Sequence, residues 1–291
     1  MNIGFIGLGI MGKPMCKNIL RAGYNVIISS SNKKTNDELS KEGATVVETY
    51  RDLAEMSDIV FTIVPDSKEV EEVILSDFGI IHHLNKGSTV VDMSSISPAT
   101  SKKVGKKLIE SGFQFLDAPV SGGEPRAIDG TLSMMVGGEE STFNDCLPLL
   151  KVMADSVVLV GDVGSGNATK LANQIIVALN IAAVSEAFTL VKRLGVDLNL
   201  VTEAIQNGLA GSAVLDAKGP MMIERHFEPG FKVDLHLKDI KNALETAEDL
   251  QLNLPLTTSI YGALKSLTDN GFGKEDHAAI IKYFEQMNEQ D

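Results

Sequence analysis

Short apolar runs rich in β-branched residues recur through the first half of the chain, and stretches with helical periodicity separate them. This alternation predicts a parallel sheet covered by helices on both faces. The run Ile59–Val64 is apolar almost throughout, as a strand buried on two sides should be. The predicted strands are Ile3–Ile6, Asn25–Ser29, Asp58–Val64, Ser88–Met93, Gln114–Asp117, Leu132–Val136 and Ser156–Val160. The predicted helices between them are Lys13–Ala22, Glu69–Leu75, Pro98–Ser111 and Ser141–Met153.

The pattern changes after about residue 162, where strand signals stop. Apolar periodicity runs from Asn167 to Arg193 without Gly or Pro, which predicts one long helix opened by the Gly164-Ser165-Gly166 turn. Further helices are predicted at Leu200–Asn207, Leu235–Leu250, Pro255–Leu267 and His277–Met287. The second part of the chain is therefore expected to be all-helical.

A glycine motif lies at the first strand–helix junction, in the run Gly7-Leu8-Gly9-Ile10-Met11-Gly12. In a GxGxxG motif the first glycine makes the tight turn, the second lets a pyrophosphate approach the backbone, and the third lets helix and strand pack closely. The helix N-terminus then offers N–H groups to phosphate. The context predicts a dinucleotide site and an α/β fold. We expect an N-terminal Rossmann-type doubly wound sheet over 1–162, then an all-α C-terminal domain over 163–291 with a long interdomain helix.

The end of the second predicted strand bears on the choice of dinucleotide. An Asp or Glu there would bind the ribose 2′-OH of NAD, but no acid occurs before Asp37. Hydroxyl, amide and ammonium groups could instead hold the 2′-phosphate of NADP, and they belong to Ser30, Ser31, Asn32 and Lys33. NADP is therefore favoured over NAD. The alternative, that Lys33 and Lys34 only begin a solvated helix, stays open.

Two further motifs could contact a small anionic substrate. Ser121, Gly122 and Gly123 follow a predicted strand, and backbone N–H groups in such a run suit a carboxylate, although a plain turn is the alternative. Lys170, Asn173 and Gln174 share one helix face at i, i+3 and i+4. A desolvated lysine has a lowered pKa and donates a proton well, but spacing alone favours an exposed Lys170.

Composition excludes several classes of protein. The net charge of −13 argues against nucleic acid as a partner. Two cysteines, distant in sequence, give neither a disulfide framework nor a CxxC zinc motif, and no metal site is expected. The glycine-studded N-terminus lacks the basic start of a signal peptide, and apolar runs are too short for a membrane span. A cytoplasmic location is expected.

The motifs, taken together and in order, resemble those of the β-hydroxyacid dehydrogenase family, which includes 3-hydroxyisobutyrate dehydrogenase. The resemblance covers nearly the whole chain, and its pieces are GFIGLGIMGKPM, DMSSISP, LDAPVSGGEPRAIDGTLSMMVGG, GSGNATKLANQ and FEPGFKVDLHLKD. Two stretches, NQIIVALNIAAVSEA and APVSGGEPRAIDGTL, are similar to the branch that reduces tartronate semialdehyde.

This resemblance implies roles for individual residues. Lys170 matches the family's catalytic lysine, and Asn173 matches a substrate-binding amide. Lys238 matches a lysine that closes over cofactor and substrate. Asp239 and Phe231 support that wall. The carboxylate loop matches Ser121, Gly122 and Gly123, and the cofactor lining matches Val64, Pro65 and Ser95. Family members often have Asn where this chain has Gln174, which leaves the role of that side chain open.

The implied activity is NAD(P)H-dependent reduction of tartronate semialdehyde to glycerate, with lysine as general acid. A 3-hydroxyisobutyrate dehydrogenase, or another small β-hydroxyacid dehydrogenase, is the alternative enzyme. A 6-phosphogluconate dehydrogenase shares the opening fold, but this chain is too short for its large helical domain. A dinucleotide-binding module without turnover is the non-enzymatic alternative. The long apolar helix Ile175–Val191 predicts a partner helix from a second subunit, and the resemblance implies a homodimer or homotetramer. The alternative for this helix is a central helix of the second domain.

Overall fold

The structure is a computed structural model that describes residues 1–288. The chain divides into two compact units, Met1–Lys170 and Leu171–Asp291. The last three positions of the predicted helical domain lie outside the described residues. The domain boundary that the sequence places between residues 162 and 163 stays a prediction.

A nine-stranded sheet forms the centre of the first unit, in the order β3-β2-β1-β4-β5-β6-β8-β7, with β9 paired to β8. Strands β1 to β6 are parallel, which confirms the predicted doubly wound arrangement. The strands are β1 Asn2–Ile6, β2 Asn25–Ile28, β3 Thr45–Val46, β4 Ile59–Thr62, β5 Thr89–Asp92, β6 Gln114–Asp117, β7 Val120–Ser121, β8 Leu132–Gly138 and β9 Ala154–Gly161.

The expectation of a fully parallel sheet is wrong at one end. Strand β8 runs antiparallel to both β6 and β7, and only β9 restores a parallel pair. Strands β6 and β7 run in the same direction along β8, and the chain returns along β8 after residues 122–131, which are too few for the crossover of a dozen or more residues that a parallel pair needs. Strand β7 is not among the predicted strands, because two residues are too few to show an alternation of apolar and polar side chains.

Successive residues of the central strands point to opposite faces of the sheet and build two separate cores. On β4, Phe61 packs in one apolar cluster and Val60 in the other. On β5, Val91 and Val90 divide in the same way. All four side chains are fully buried. Burial on both faces explains why these strands read as continuous apolar runs.

Seven helices accompany the sheet, and the ones that the sequence pattern did not predict are short or polar. Helix α2 buries only Thr35 and Leu39, so it has no clear apolar stripe. Side-chain caps at Asn32 and Thr49 begin α2 and α3 instead. The helices are α1 Gly12–Arg21, α2 Lys33–Lys41, α3 Tyr50–Glu55, α4 Ser67–Leu75, α5 Pro98–Glu110, α6 Gly123–Asp129 and α7 Glu140–Leu150, with a 3₁₀ turn at Ile80–His82.

The rest of the described chain is helical, as predicted. Helix α8 starts at Ser165, two residues before the predicted start, and crosses from the first unit into the second. Helix α10 was not predicted, because Gly219 and Pro220 in its middle are signals of a break. The helices are α8 Ser165–Arg193, α9 Leu198–Ile205, α10 Ala213–Glu224, α11 Val233–Asp249, α12 Pro255–Asp269 and α13 Ile281–Asn288, the last preceded by a 3₁₀ turn at His277–Ile280.

The core of the second unit forms around α8, where Ala178, Ile181 and Phe188 pack into one apolar cluster. Among the described residues, α8 is the one helix long and apolar enough to cross a membrane by length and composition. A single such helix is weak evidence for a span, because the core helix of a globular domain passes the same test. One side of α8, which includes the buried polar groups Gln174 and Ser185, packs into this core.

Candidate active site

The glycine motif forms a turn that is tight against the protein and open at its middle. Gly7 has φ +95°, and a Cβ there would lie 2.0 Å from the Ile63 carbonyl oxygen. A Cβ on Gly12 would lie 1.9 Å from the Gly7 carbonyl oxygen. A Cβ on Gly9 would have no atom of the described chain within 4 Å. The backbone at Gly9 is thus accessible where a pyrophosphate would approach. Met11, the residue before α1, provides no side-chain cap for the helix N-terminus. Both features fit a dinucleotide.

The ends of neighbouring parallel strands place other predicted cofactor residues at the same edge of the sheet. Strands β1, β4 and β5 are adjacent, and the chain direction across the sheet reverses at β1. The Val64 N–H donates to Ser94 Oγ at 2.9 Å. The predicted residues Pro65 and Ser95 directly follow these two groups. The structure therefore brings this set together with the glycine turn.

The end of β2 lies next to the glycine turn because β2 pairs with β1. Asn32 Oδ1 accepts a 3.3 Å hydrogen bond from the Thr35 N–H and so caps α2. Ser30 Oγ accepts a hydrogen bond from the Asn32 N–H at 3.1 Å. Ser31 and Lys33 are exposed. Hydroxyl and ammonium groups are therefore present at the end of β2, as binding of a 2′-phosphate would need. The side chain of Asn32 caps α2, as the alternative of a helix start predicts.

The Ser121–Gly123 run forms the start of α6. Strand β7 ends at Ser121, and Gly122 and Gly123 both have positive φ, +143° and +71°. No side chain caps the N-terminus of α6. Its first N–H groups point along the helix axis without an intrahelical acceptor, which is the arrangement that a carboxylate can bind.

Asp117 and Asn167 anchor the start of α8, and sequence reasoning assigned neither of them a role. Asp117 accepts from the Gly164 N–H through Oδ1 at 2.7 Å and from the Asn167 N–H through Oδ2 at 2.8 Å. Asn167 in turn accepts from the Ile96 N–H at 3.0 Å and donates to Ser101 Oγ at 2.9 Å. Both side chains are fully buried. The first turn of α8 is therefore held in place by the end of β6, by the loop after β5 and by α5.

Lys170 lies one turn after this anchor and is only 5% exposed. The alternative that spacing alone favoured, an exposed lysine, is therefore wrong. The sequence signal for the anchor was available in Gly166, since a Cβ there would lie 2.5 Å from the Asp117 backbone oxygen. A glycine required by close approach marks a segment that packs against something.

Two buried carboxyls lie side by side at this edge, because Asp92 on β5 pairs in register with Asp117 on β6. Burial raises the pKa of each carboxyl to about 6, against the hydrogen bonds that it accepts. Asp92 Oδ1 accepts from Thr62 Oγ1 at 2.8 Å and from Ser94 Oγ at 2.6 Å. Asp92 Oδ2 has no hydrogen-bond partner among the described residues.

In the second unit the structure brings together Asn173, Lys238 and Asp239, with Gln174 between them. Asn173 Nδ2 donates to Gln174 Oε1 at 2.8 Å, and Gln174 Nε2 donates to Asp239 Oδ2 at 2.6 Å. Lys238 Nζ lies 3.2 Å from Asp239 Oδ1. Only the family resemblance predicts that Asn173 and Lys238 lie at one site.

Phe231, predicted to line the cofactor, packs against two buried histidines that sequence reasoning left without a role. Its ring centroid is 5.7 Å from that of His236 and 5.4 Å from that of His277. Their Nδ1 atoms are 2.9 Å apart. Within residues 1–288, no group of three or more His, Cys, Asp or Glu could hold a metal ion.

Two family models match the chain, one for each half. Residues 2–161 match the NAD binding domain of 6-phosphogluconate dehydrogenase. Residues 164–284 match the model described as NAD-binding of NADP-dependent 3-hydroxyisobutyrate dehydrogenase.

Individual relatives span the full chain. It is 46% identical to 2-hydroxy-3-oxopropionate reductase of Escherichia coli (strain K12) over 287 residues, covering 99% of this chain and 98% of the relative. It is similar to a solved 3-hydroxyisobutyrate dehydrogenase from Salmonella typhimurium, with a TM-score of 0.87, 30% identity and coverage of 97% and 99%. A Mycobacterium tuberculosis 3-hydroxyisobutyrate dehydrogenase with L-serine gives a TM-score of 0.89 at 27% identity, with coverage of 97% and 98%.

These matches confirm the family expected from the motifs and the presence of a nicotinamide-binding fold. The relatives are named reductases and dehydrogenases of small hydroxy acids. The protein is an NAD(P)-dependent oxidoreductase, and it belongs to the β-hydroxyacid dehydrogenase family.

Proposed function

We propose that the protein reduces tartronate semialdehyde (2-hydroxy-3-oxopropanoate) to glycerate, with NADPH preferred over NADH. The observation that carries the proposal is the burial of Lys170 one turn after the Asp117–Asn167 anchor. Withdrawal from water and an anchored helix start suit a lysine to the role of proton donor, which supports the proposal. The 46% identity to an enzyme named for this substrate supports the choice of aldehyde.

Lys170 acts as the general acid. When bound, NAD(P)H would supply a hydride to the aldehyde carbon, and the carbonyl oxygen of the substrate would become an alkoxide. The ammonium of Lys170 stabilises that developing charge and gives its proton to the oxygen, so the product is a primary alcohol. The neutral lysine then takes up a proton from water before the next turnover.

The other predicted residues bind and orient. Ser121, Gly122 and Gly123 hold the substrate carboxylate through backbone N–H groups and the serine hydroxyl. Asn173 orients the substrate through its amide. Lys238 contacts cofactor and substrate. We assign the NAD(P)-binding domain to residues 1–162, which also supply the carboxylate loop, and the substrate and assembly domain to residues 163–291, which also supply Lys238 to the cofactor.

The cofactor is held by residues at the edge of the sheet. Gly7, Gly9 and Gly12 admit the pyrophosphate. The other backbone and lining positions are Leu8, Ile10, Met11, Val64, Pro65, Ser95 and Phe231. The NADP preference rests on Ser30, Ser31, Asn32 and Lys33, with no acid near the end of β2. The second family model, which describes an NADP-dependent protein, supports it.

A 3-hydroxyisobutyrate dehydrogenase is the competing assignment, and the Salmonella typhimurium neighbour of that name favours it. The two substrates differ in a hydroxyl against a methyl at the carbon between carboxylate and aldehyde. A pocket that hydrogen-bonds the hydroxyl rejects a methyl strongly, whereas an apolar pocket discriminates weakly. Turnover ratios therefore distinguish the two.

We further propose a cytoplasmic homodimer or homotetramer with no nucleic acid or membrane partner. Helix α8 exposes Ile176 at 61% and Leu190 at 63%, and Leu194, directly after the helix, is 71% exposed. Large apolar side chains exposed along one helix favour contact with a second copy.

The test is reduction of tartronate semialdehyde and methylmalonate semialdehyde, each with NADPH and with NADH. We expect kcat/KM to be highest for tartronate semialdehyde with NADPH. A Lys170→Met variant should bind NADPH normally and lose activity by roughly 10²- to 10⁴-fold. Preference for methylmalonate semialdehyde would replace the substrate assignment. An unchanged rate in Lys170→Met would remove the acid role, and no turnover of either aldehyde would leave only cofactor binding.

A further inference from the structure

Gln174 is a buried amide that joins side chains on two helices of the second unit. It is 4% exposed. Its oxygen accepts from Asn173 Nδ2 at 2.8 Å, and its nitrogen donates to Asp239 Oδ2 at 2.6 Å. Asn173 and Gln174 lie on α8, and Asp239 lies on α11. The amide thus uses both of its ends, one for each helix.

Asp239 extends this array to Lys238. The carboxyl group is 2% exposed, and its Oδ1 lies 3.2 Å from Lys238 Nζ. That oxygen accepts no hydrogen bond of good geometry from the described residues. A buried carboxylate is costly unless nearby groups compensate its charge. The Gln174 amide and the Lys238 ammonium do so together, and loss of the amide would change how Asp239 holds the ammonium.

The backbone of Gln174 is held as well. Its carbonyl oxygen lies 3.1 Å from His236 Nε2. A carbonyl only accepts, so His236 carries a hydrogen on Nε2, and its Nδ1 then accepts from His277 Nδ1–H at 2.9 Å. His236 and Asp239 are three residues apart on α11 and share a face. Gln174 is therefore held by α11 at two points, which fixes the direction of its side chain.

We propose that Gln174 is a positioning residue, whose amide sets Asn173 and, through Asp239, Lys238 as one array. The inference rests on the proposed function, because it takes Asn173 to orient the substrate and Lys238 to contact the cofactor. An Asn at 174 is one methylene shorter and could not span the same two partners without movement of a helix. The longer amide is thus the residue that couples the two binding groups in this chain.

The test has two readouts on the full-length enzyme. The first is the NADPH Kd without any aldehyde, measured from the change in cofactor fluorescence on binding. The second is KM for the aldehyde. In Gln174→Leu, which keeps the volume and removes both hydrogen bonds, we expect the NADPH Kd and the aldehyde KM each to rise about 10-fold. Gln174→Asn keeps a polar amide, disturbs folding less and should give a smaller rise in both.

The matched control is Ser185→Ala, on the same helix. Ser185 is fully buried and donates to the Ile181 carbonyl oxygen, away from the array. Its removal should leave Kd and KM unchanged while lowering the melting temperature slightly. Equal changes of Kd in Ser185→Ala and Gln174→Leu would mean that the effect of Gln174 is structural only.

A double-mutant cycle with Lys238→Met isolates the coupling. In the Lys238→Met background, Gln174→Leu should change the NADPH Kd by less than two-fold, since the group through which it acts is gone. The same 10-fold change in both backgrounds would overturn the proposal. So would an unchanged Kd in Lys238→Met alone, or a rise of KM without a rise of Kd. A wrong substrate would instead show as no turnover with the coupling in Kd intact.

Discussion

At the residue scale, the most unusual group is the Asp92 carboxyl, fully buried with one oxygen lacking a hydrogen-bond partner among residues 1–288. Its pKa is raised from 3.8 to about 6 by burial. The folded state therefore binds a proton between these two values while the unfolded chain does not. The contribution of Asp92 to stability is complete below the unfolded pKa and is lost as pH rises through about 6.

Replacement of Asp92 by Asn removes this titration and keeps an acceptor for Thr62 and Ser94. We expect the substitution to cost more stability at about pH 5 than at about pH 7.5, by about 1.4 kcal/mol, because about one unit of the pKa shift lies between pH 5 and the folded-state pKa. Urea unfolding of both proteins at the two pH values measures the difference. Asp66→Asn, at the cap of α4, is the control without a buried carboxyl. A pH-independent difference for Asp92→Asn would contradict the expectation.

Lys170 shows that the spacing of residues along a helix does not predict whether a single side chain is buried. Its position on the helix face with Asn173 was readable from the sequence, but the same spacing fits an exposed lysine. Burial depends on how the start of α8 packs, and the groups that anchor this start, Asp117 and the Ile96 N–H, lie more than 45 residues earlier in the chain.

At the element scale, the start of α8 is capped from a distance. Asp117 takes the place of a local N-cap and satisfies two backbone N–H groups that the helix leaves open. The Ala118-Pro119 link then connects it to β7 and the Ser121–Gly123 run. One segment therefore anchors the helix of the proposed acid and, a few residues later, supplies the proposed carboxylate loop.

Asp117→Ala leaves these two buried N–H groups without their acceptor, so we expect a loss of about 2–3 kcal/mol in the free energy of unfolding. Activity should fall as well, because Lys170 is one turn away. The comparison is Asp66→Ala, which removes a local cap on α4 and should cost about 1 kcal/mol with little effect on activity. Urea unfolding and steady-state rates measure both, and equal effects of the two variants would argue against an anchoring role.

The helices that were not predicted share a physical cause. Helix α2 has hardly any apolar face, and α10 carries Gly219 and Pro220 inside it. Both are stabilised by contacts that are distant in sequence: Leu39 of α2 packs with the first core, and Leu215 of α10 packs with the core around α8. Periodicity detects an element only when its own residues specify it.

At the scale of the whole molecule, the exposed apolar side chains of α8 predict self-association. Light scattering on the purified protein should give the mass of a dimer or tetramer. Leu190→Glu places a charge on this surface and should shift the mass toward the monomer. Phe78→Glu, at an exposed apolar residue of the first unit, should leave the mass unchanged. A monomeric wild-type protein would contradict the assembly proposal.

Periodicity and short motifs are local properties, so the amino-acid sequence predicts the class of fold, the helical second part, the glycine turn and the family. The burial of Lys170, the anchoring of α8 by Asp117 and the link that Gln174 makes from Asn173 to Asp239 are visible in the folded chain alone. Each of these depends on a contact between distant segments. Such contacts follow from how the elements pack, and packing leaves no periodic signal in a single sequence.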